Sequence, residues 1–186
     1  MFFDRLESGI KDHPLRRLID NSYHGNNANL FSCHSCNKTK KVEETFYSIT
    51  LEVKNSKNLI ESFNRYILGE LINDYKCDFC NQKADVSKKT RISKVPHNLI
   101  IHLQRIDMNF ETFINEKLTN KHEFPMNFNM YPFTLDYYDR EQQNDANLTK
   151  EHPNYQYELT GITCHMGNAE QGHYISYIKN DEGKWF

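Results

Sequence analysis

Two cysteine pairs have a spacing that could hold a metal ion. Two residues separate Cys33 from Cys36, and two residues also separate Cys77 from Cys80. A tight turn between such cysteines directs both thiols toward one tetrahedral centre, and zinc is the usual ion for four nitrogen or sulfur ligands. Four thiolates leave no open position for a reacting ligand, so this set predicts one structural Zn²⁺ ion rather than a catalytic metal.

Other interpretations of these pairs stay open at this point. Residues 37–76 lie between the pairs, so an intervening strand and helix must bring them together if they share an ion. The cysteines could instead be ordinary or degenerate, and His24 or His34 could belong to a different ligand set. A redox Cys-x-x-Cys needs a thioredoxin-like strand followed by a helix, which neither pair has. Metal is favoured over disulfides because the chain carries no secretory signal.

A histidine near the C-terminus is a candidate for acid–base chemistry. His173 directly follows Gly172 and begins a predicted strand, which would fix the ring while the preceding turn keeps it accessible. An imidazole titrates near neutral pH, so it can take a proton from a thiol and return it to a leaving amine. We therefore consider His173 as a general base, with a solvated turn histidine as the alternative.

Hydrophobic periodicity predicts the elements that position these residues. Residues 2–19 have the spacing of two short helices, and residues 23–29 form a turn-rich link to the first cysteine pair. Residues 46–53 alternate as a strand. A helix follows, with Ser56 as a plausible N-cap and apolar residues at helical spacing through Leu71.

The second half of the sequence has the pattern of short strands. We expect an exposed strand at residues 84–95, a buried strand at 98–105, and two strands at 157–165 and 173–179 joined by a glycine-containing turn. Residues 139–154 offer almost nothing to bury, which favours a mobile surface insertion. Strands outnumber helices and are joined by short local links, so the predicted class is α+β with largely antiparallel sheet.

Composition limits the possible functions. A chain of 186 residues has room for one compact domain, and its 12 Phe and 11 Tyr residues supply apolar ring surface for a core. The 23 basic and 25 acidic residues give a formal charge of −2, which provides no overall positive field for nucleic acid or anionic lipid. No apolar run approaches a membrane span and no signal peptide is visible. We expect a soluble intracellular protein, cytoplasmic, nuclear or both, without a membrane partner.

The order of the motifs carries a family resemblance. The two cysteine pairs are followed by Leu99-Ile-Ile-His-Leu-Gln-Arg105, Phe124-Pro125, Gly172-His173-Tyr174 and Trp185-Phe186. This series resembles the ubiquitin-specific proteases, papain-like cysteine peptidases that cleave after the C-terminal glycine of ubiquitin. The run Asn129-Met-Tyr-Pro-Phe-Thr134 further resembles the branch of very large members related to the fat facets protein.

The resemblance implies a partial papain-like fold in which zinc-ribbon fingers and a β-rich palm hold ubiquitin. Residues 1–186 would form a partial catalytic domain without the thumb that carries the nucleophile. Within it, residues 1–32 would be a helical N-terminal part, 33–95 the fingers with their helix, and 96–186 the palm. Ubiquitin and ubiquitinated proteins would be the partners.

The resemblance also assigns roles to residues of the C-terminal hairpin. His173 matches the general base of the family. His165, Gly172 and Tyr174 match positions that line the channel for the diglycine tail of ubiquitin. That channel must be narrow, because only glycines are to pass.

The sequence departs from the family at the nucleophile. The family's Asn-x-Gly-x-Thr-Cys box is not present, and Cys164, the only cysteine outside the pairs, is expected to be an inert small apolar residue. The orienting Asp or Asn follows the Trp-Phe segment in the family, whereas Asp181 precedes it here. We therefore expect this chain to be inactive alone and to be a segment of a longer deubiquitinating protease. The alternative is a truncated pseudoenzyme that binds ubiquitin without cleaving it.

Two functions of other classes remain as rivals. One is a zinc-stabilised interaction domain without preference for ubiquitin. The other is a zinc-ribbon nucleic-acid module, which has some support from basic residues near the second cysteine pair: Lys83, Lys88, Lys89, Arg91 and Lys94. The overall charge gives that module no further support, and we predict no nucleic-acid partner.

Overall fold

The computed structural model describes residues 2–10, 13–148 and 152–186, and it combines helices with mostly antiparallel strands. In chain order the elements are α1 (Phe2–Gly9), α2 (Leu15–Tyr23), β1 (Gly25–Cys33), β2 (Thr39–Phe46), β3 (Ile49–Glu52), α3 (Leu59–Leu68), β4 (Glu70–Lys76), β5 (Lys83–Lys94), β6 (Ile101–Gln104), β7 (Ile106–Asn109), β8 (Ile114–Lys117), β9 (Asn127–Asn129), α4 (Leu135–Gln142), β10 (Gln156–Glu158), β11 (Gly161–Gly167) and β12 (Gly172–Ile178). Among the described strand pairs, only β3 with β6 is parallel. The predicted α+β class is confirmed.

A four-stranded antiparallel sheet in the order β2-β1-β5-β4 forms one part of the molecule. The long strand β5 lies in its interior, paired with β1 on one side and β4 on the other. Its apolar residues Ala84, Val86 and Ile92 are buried. The strand predicted at 84–95 is confirmed as β5, but its predicted exposure was wrong, because the charged residues that suggested exposure alternate with side chains that pack inward.

The strand β1 begins where the sequence suggested a turn-rich link. Its asparagines find partners on distant elements: Asn27 Nδ2 donates to Tyr66 Oη at 2.7 Å, and Thr90 Oγ1 donates to Asn29 Oδ1 at 2.8 Å. These contacts hold polar side chains within the sheet. The link predicted at 23–29 was wrong because the backbone of residues 25–29 pairs with β2 and β5, and the side chains of Asn27 and Asn29 bond to distant residues.

The main apolar core lies between α3, the β3–β6 pair and the segment that contains β9. Phe63 of α3 is fully buried, with its ring centroid 5.1 Å from that of Phe128 and 4.8 Å from that of Phe133. Ile49 and Leu51 of β3 are also almost fully buried. The strand expected at 46–53 is divided, because β2 ends at Phe46 and β3 begins at Ile49.

The helix α3 has well-defined ends that differ from those predicted. Asn58 rather than Ser56 is its N-cap, and Asn58 Oδ1 accepts the Glu61 N–H at 2.9 Å. The helix ends before Gly69, whose φ of +92° does not continue a helix, and Leu71 lies in β4. In the described part of the chain, no helix is long and apolar enough to cross a lipid bilayer.

The C-terminal half contains short strands and one helix. The strand predicted at 157–165 is two strands, β10 and β11, whereas the strand predicted at 173–179 corresponds to β12. Part of the insertion predicted at 139–154 is regular structure, since α4 continues to Gln142 and a 3₁₀ turn covers Pro153–Tyr155. Residues 149–151 of that insertion lie outside the described residues.

His122 is a buried histidine that ties the chain before β9 to the start of α3. Its side chain is 6% exposed, and its Nε2 lies 3.0 Å from Ser62 Oγ. Ser62 Oγ donates its hydrogen to the Glu52 carbonyl at 2.8 Å, so in its contact with His122 it accepts a hydrogen bond from the Nε2–H. Nδ1 is buried without a hydrogen-bond partner among the described residues. Burial, and next the positive charge of Arg105, lower the pKa of His122.

We expect the folded state to lose stability on mild acidification because of His122. A lowered folded-state pKa means that the unfolded chain binds this proton more readily, so stability falls as pH decreases through about 6.5. His122→Gln should make the slope of unfolding free energy between about pH 7.5 and about pH 5.5 shallower, by at most about 1.4 kcal/mol per pH unit. Denaturant unfolding at several pH values measures this slope. The exposed control His97→Gln should keep the wild-type slope, and equal slopes in all three proteins would contradict the assignment.

Candidate functional site

The four paired cysteines converge at the outer end of the four-stranded sheet. Cys33 is the last residue of β1 and lies opposite Val86 of β5, and Cys77 directly follows β4. All four Sγ atoms lie within 4.8 Å of one another. Cys33 and Cys77 are buried, with exposed fractions of 2% and 3%. The structure therefore brings the two predicted pairs together in one cluster.

Each pair sits in a turn with the same backbone pattern. Asn37 N donates to Cys33 O at 2.9 Å, and Asn81 N donates to Cys77 O at the same distance. In each turn the first cysteine donates its N–H at 3.0 Å to the carbonyl of the residue after the asparagine. Asn37 and Asn81 have φ values of +55° and +57°, a left-handed conformation that asparagine tolerates well. The repeated Cys-x-x-Cys-Asn was a sequence signal for matching turns that the sequence analysis missed.

The sulfur geometry and the thiol acidities fit a zinc ion. Four sulfurs around zinc at about 2.3 Å would lie about 3.8 Å apart, and Cys36 Sγ lies 3.8 Å from Cys77 Sγ. Backbone N–H groups of Cys80 and Phe79 lower the pKa of Cys77 to about 7. At Cys36 the Lys38 N–H lowers the pKa, but burial and the other three thiols outweigh it and raise the value to about 11. A cation would be needed to ionise all four thiols together.

The two histidines of the alternative ligand set make other contacts. His34 Nε2 lies 2.7 Å from Ser87 Oγ, and the His24 ring packs against Tyr47 at a centroid distance of 5.5 Å. The group of donor atoms that converges in the described residues consists of four sulfurs and contains neither imidazole.

The hairpin β11–β12 carries the other predicted site residues. His165 lies opposite Tyr174, with ring centroids 4.8 Å apart, and Met166 lies opposite His173. Since successive side chains alternate between the faces of a strand, His165 and Tyr174 share one face with Gly172 and His173 lies on the other. His173 is exposed. The structure thus brings three of the four predicted residues onto one face of the hairpin. It places the candidate base, His173, on the opposite face.

Gly172 lies where a side chain has no room. A Cβ atom there would lie 2.2 Å from His165 Nε2 and 2.3 Å from the Met166 carbonyl oxygen. At the other end of the turn, Gly167 has a φ of +131° that favours glycine. Asn168 Oδ1 closes the turn by accepting the N–H groups of Glu170 and Gln171, both at 2.9 Å. The absence of a side chain at Gly172 lets the His165 ring lie directly against the backbone of β12.

The remaining cysteine and the nearby aspartate do not complete a catalytic set with His173. Cys164 is half-buried and lies opposite Ile175 in the hairpin. Asp181 is exposed in the turn after β12, before Trp185 pairs with Lys179. Neither residue stands opposite His173 in the strand register.

Comparisons with known proteins agree in pointing to one family. The family model of ubiquitin carboxyl-terminal hydrolase matches residues 1–186. Ubiquitin carboxyl-terminal hydrolase 9X of Mus musculus is 31% identical over 199 aligned residues, which cover 97% of the chain and 8% of that relative. The probable ubiquitin carboxyl-terminal hydrolase FAF of Drosophila melanogaster is 29% identical over 201 residues, covering 98% of the chain and 7% of the relative. The chain therefore spans less than a tenth of the length of these relatives.

Solved structures give the same result. A chain of the SAGA DUB module that contains Ubp8, bound to monoubiquitin, matches with a TM-score of 0.78 and 27% identity over 97% of this chain and 39% of its own length. A chain of the module bound to ubiquitin aldehyde matches with a TM-score of 0.75 and 27% identity over 95% of this chain and 38% of its own. The predicted architecture is thereby confirmed as that of the Ubp8 neighbours.

The cysteine cluster generates a prediction about metal content. The wild-type protein should bind one zinc ion at the four thiols, and Cys77→Ser should release it and lower the midpoint of thermal unfolding by about 10 °C or more, because structural zinc contributes to folding directly. Metal analysis after dialysis, together with thermal unfolding, measures both effects. Cys164→Ser is the matched control and should change neither. A Cys77→Ser variant with wild-type zinc and midpoint would contradict the ligand set.

Proposed function

The chain belongs to the ubiquitin carboxyl-terminal hydrolase family, and from that premise we propose that it forms the fingers and most of the palm of a deubiquitinating cysteine protease. The observation that carries the proposal is the β11–β12 hairpin. There an exposed histidine follows a glycine whose missing side chain makes room for the ring of a second histidine, His165. Because His173 lies on the face opposite His165 and Tyr174, a chain of glycines would reach this base where it crosses the turn between β11 and β12.

In this proposal the zinc ion has a structural role. Cys33, Cys36, Cys77 and Cys80 would hold it and so cross-link the ends of β1 and β4 on either side of β5. When bound, zinc supplies charge neutralisation for the thiolates and fixes the sheet, with no open position for a substrate. The sheet itself would grip the globular body of ubiquitin.

His173 would act as the general base of hydrolysis. In its neutral form the imidazole takes the proton of a cysteine thiol, and the thiolate attacks the carbonyl carbon of the C-terminal glycine of ubiquitin. The imidazolium then returns the proton to the leaving amine, and water hydrolyses the resulting thioester with the same base. The bond cleaved is an isopeptide or peptide bond to ubiquitin.

The nucleophile in this proposal is a cysteine outside the 186 residues. Four of the five cysteines form the buried or half-buried cluster, and Cys164 stands opposite Ile175 rather than His173. The chain alone is therefore proposed to be inactive. Exposed apolar side chains on and beside the hairpin support a further covering element: Ile178 is 61% exposed and Phe186 is 73% exposed.

The tail of ubiquitin would lie along the face formed by His165, Gly172 and Tyr174. A β-carbon at Gly172 would collide with His165, so the imidazole packs against the Gly172 backbone, and we propose that only a substrate segment with little side-chain volume passes beside this pair. The selectivity for a diglycine tail would follow from this restriction. The ubiquitin present in the matched SAGA structures supports ubiquitin and its conjugates as partners.

The basic residues near the second cysteine pair favour this function over nucleic-acid binding. Lys88 pairs with Glu70 at 2.9 Å, and the Arg91 guanidinium stacks 4.7 Å from the centroid of the Tyr138 ring. These charges are engaged within the protein rather than arranged along an open groove.

We propose the cytoplasm or nucleus as the location, since ubiquitin conjugates and reduced thiols occur together there.

A pseudoenzyme is the second candidate, and the position of Cys164 is the observation that favours it. A full-length protein with no other cysteine near His173 would bind ubiquitin and leave the conjugate intact. Binding without turnover by the wild-type protein would select this candidate over the protease.

The role of His173 predicts a large loss of turnover. In the full-length protein, His173→Ala should lower kcat on ubiquitin with a fluorogenic amide at its C-terminal glycine by about 10² to 10⁴-fold, because the thiol loses its base. Ubiquitin affinity should change little. The exposed control His97→Ala should retain wild-type turnover. Undiminished cleavage by His173→Ala would refute the assignment of the base.

The narrow space at Gly172 predicts a steric effect. Gly172→Ala should lower kcat/KM for the same substrate by about 100-fold, because its methyl group must displace the His165 ring or the Met166 carbonyl. Gly161→Ala is a matched control in the same hairpin, since the nearest atom to its Cβ would be the Tyr177 carbonyl oxygen at 3.9 Å. Equal activity of the two variants would show that the space beside His165 does not accept the tail.

A further inference from the structure

Lys117 joins the β7–β8 hairpin to the start of the candidate tail channel. Its Nζ donates to the His165 carbonyl oxygen at 2.8 Å and to the Gly167 carbonyl oxygen at 2.9 Å. The two acceptors are two residues apart on β11, so their carbonyls point the same way from the strand. Their partners in β12 lie on the other side of β11. One ammonium group therefore holds the outer edge of β11 where the turn begins.

The backbone around Lys117 is itself firmly placed. Lys117 is the last residue of β8 and lies opposite Ile106. Immediately after it, Leu118 N donates to Arg105 O at 2.6 Å, and Arg105 Nη1 donates to the carbonyls of Leu118 and Asn120 at 3.1 and 3.0 Å. Arg105 follows β6 directly. The backbone next to Lys117 is thus bonded to the end of β6, which packs on the core. Through its own hydrogen bonds, Lys117 fixes β11 relative to β6.

The acceptors of Lys117 bracket the segment on which the candidate site depends. His165 faces Gly172, and Gly167 begins the turn that ends at Gly172 and His173. Asn168 fixes the tip of this turn through two backbone N–H groups, whereas Lys117 fixes its first end. A charged donor forms stronger hydrogen bonds to carbonyls than a neutral donor does. Loss of the ammonium would free the first end of the turn while leaving its tip intact.

We propose that Lys117 is a positioning residue that holds the turn at residues 167–172 in the geometry required for ubiquitin's tail and for His173. This role rests on the proposed function, because the turn matters for catalysis only if the tail passes there. Lys117 touches neither substrate nor reacting atoms and acts through the backbone of β11.

Hydrogen exchange tests whether Lys117 holds this turn, without reference to activity. In the full-length protein, Lys117→Met should increase the exchange rates of backbone amides in residues 165–173 by about tenfold or more, while amides of β1 and β5 keep their rates. Lys117→Arg, which retains charge and donors, should restore most of the protection. The control Lys121→Met removes an exposed lysine that pairs only with Glu123 in the described residues and should leave the turn unchanged. Unchanged exchange in Lys117→Met, or an equal rise across the whole domain, would overturn the proposal.

Kinetics then separate positioning from simple stability. On ubiquitin with a C-terminal fluorogenic amide, Lys117→Met should lower kcat by about tenfold with KM changed less than about threefold, because misplacement of the base and tail affects the reacting geometry more than binding by the fingers. Lys117→Arg should recover most of kcat. A change in KM alone would overturn the positioning role. If His173→Ala retains turnover while Lys117→Met still increases exchange in the turn, the proposed function is wrong, but the conclusion that Lys117 holds the turn is correct.

Discussion

The pairing of β5 with both of its neighbours is the constraint on which the rest of the structure depends. At one end, this strand aligns β1 and β4 so that two cysteine pairs, distant in sequence, meet within 4.8 Å. At its other end, Ile92 joins the core built around Phe63, and Arg91 donates to the carbonyl at the end of α3 at 2.6 Å. A one-residue shift of β5 would reverse its faces and disperse both the sulfur cluster and the core. The strand β5 therefore links the four-stranded sheet to the apolar core.

The candidate site is placed by strand pairing and by side chains that hydrogen-bond to backbone groups of the turn. The hairpin β11–β12 presents its imidazoles through strand alternation, and its turn is held by Asn168 at the tip and Lys117 at one end. Glycine at 172 keeps the face beside His165 free of a β-carbon. Such a site depends on the exact path of a short loop, so small changes at its supports are expected to have large effects on chemistry.

The sequence predicted best those features that depend on local spacing. The separation of cysteines within each pair was sufficient to predict the cluster, and the alternation after Gly172 was sufficient to predict β12. The predictions failed where distant residues decide the structure. The asparagines of β1 resemble turn residues until Tyr66 and Thr90 are placed beside them, and the charged pattern of β5 suggested exposure until strands on both sides were known. Lys117 gave no sequence signal, because its acceptors are backbone carbonyls 48 and 50 residues away.

The central claim is that this domain receives the tail of ubiquitin at the turn between β11 and β12. The most direct measurement is amide hydrogen exchange of the full-length protein with saturating ubiquitin and, in parallel, with ubiquitin lacking its last two glycines. The account predicts that intact ubiquitin slows exchange in residues 165–174 by about tenfold or more, and that the shortened form protects the four-stranded sheet but leaves this turn unprotected. Equal protection of the turn by both forms, or protection by neither, would contradict it.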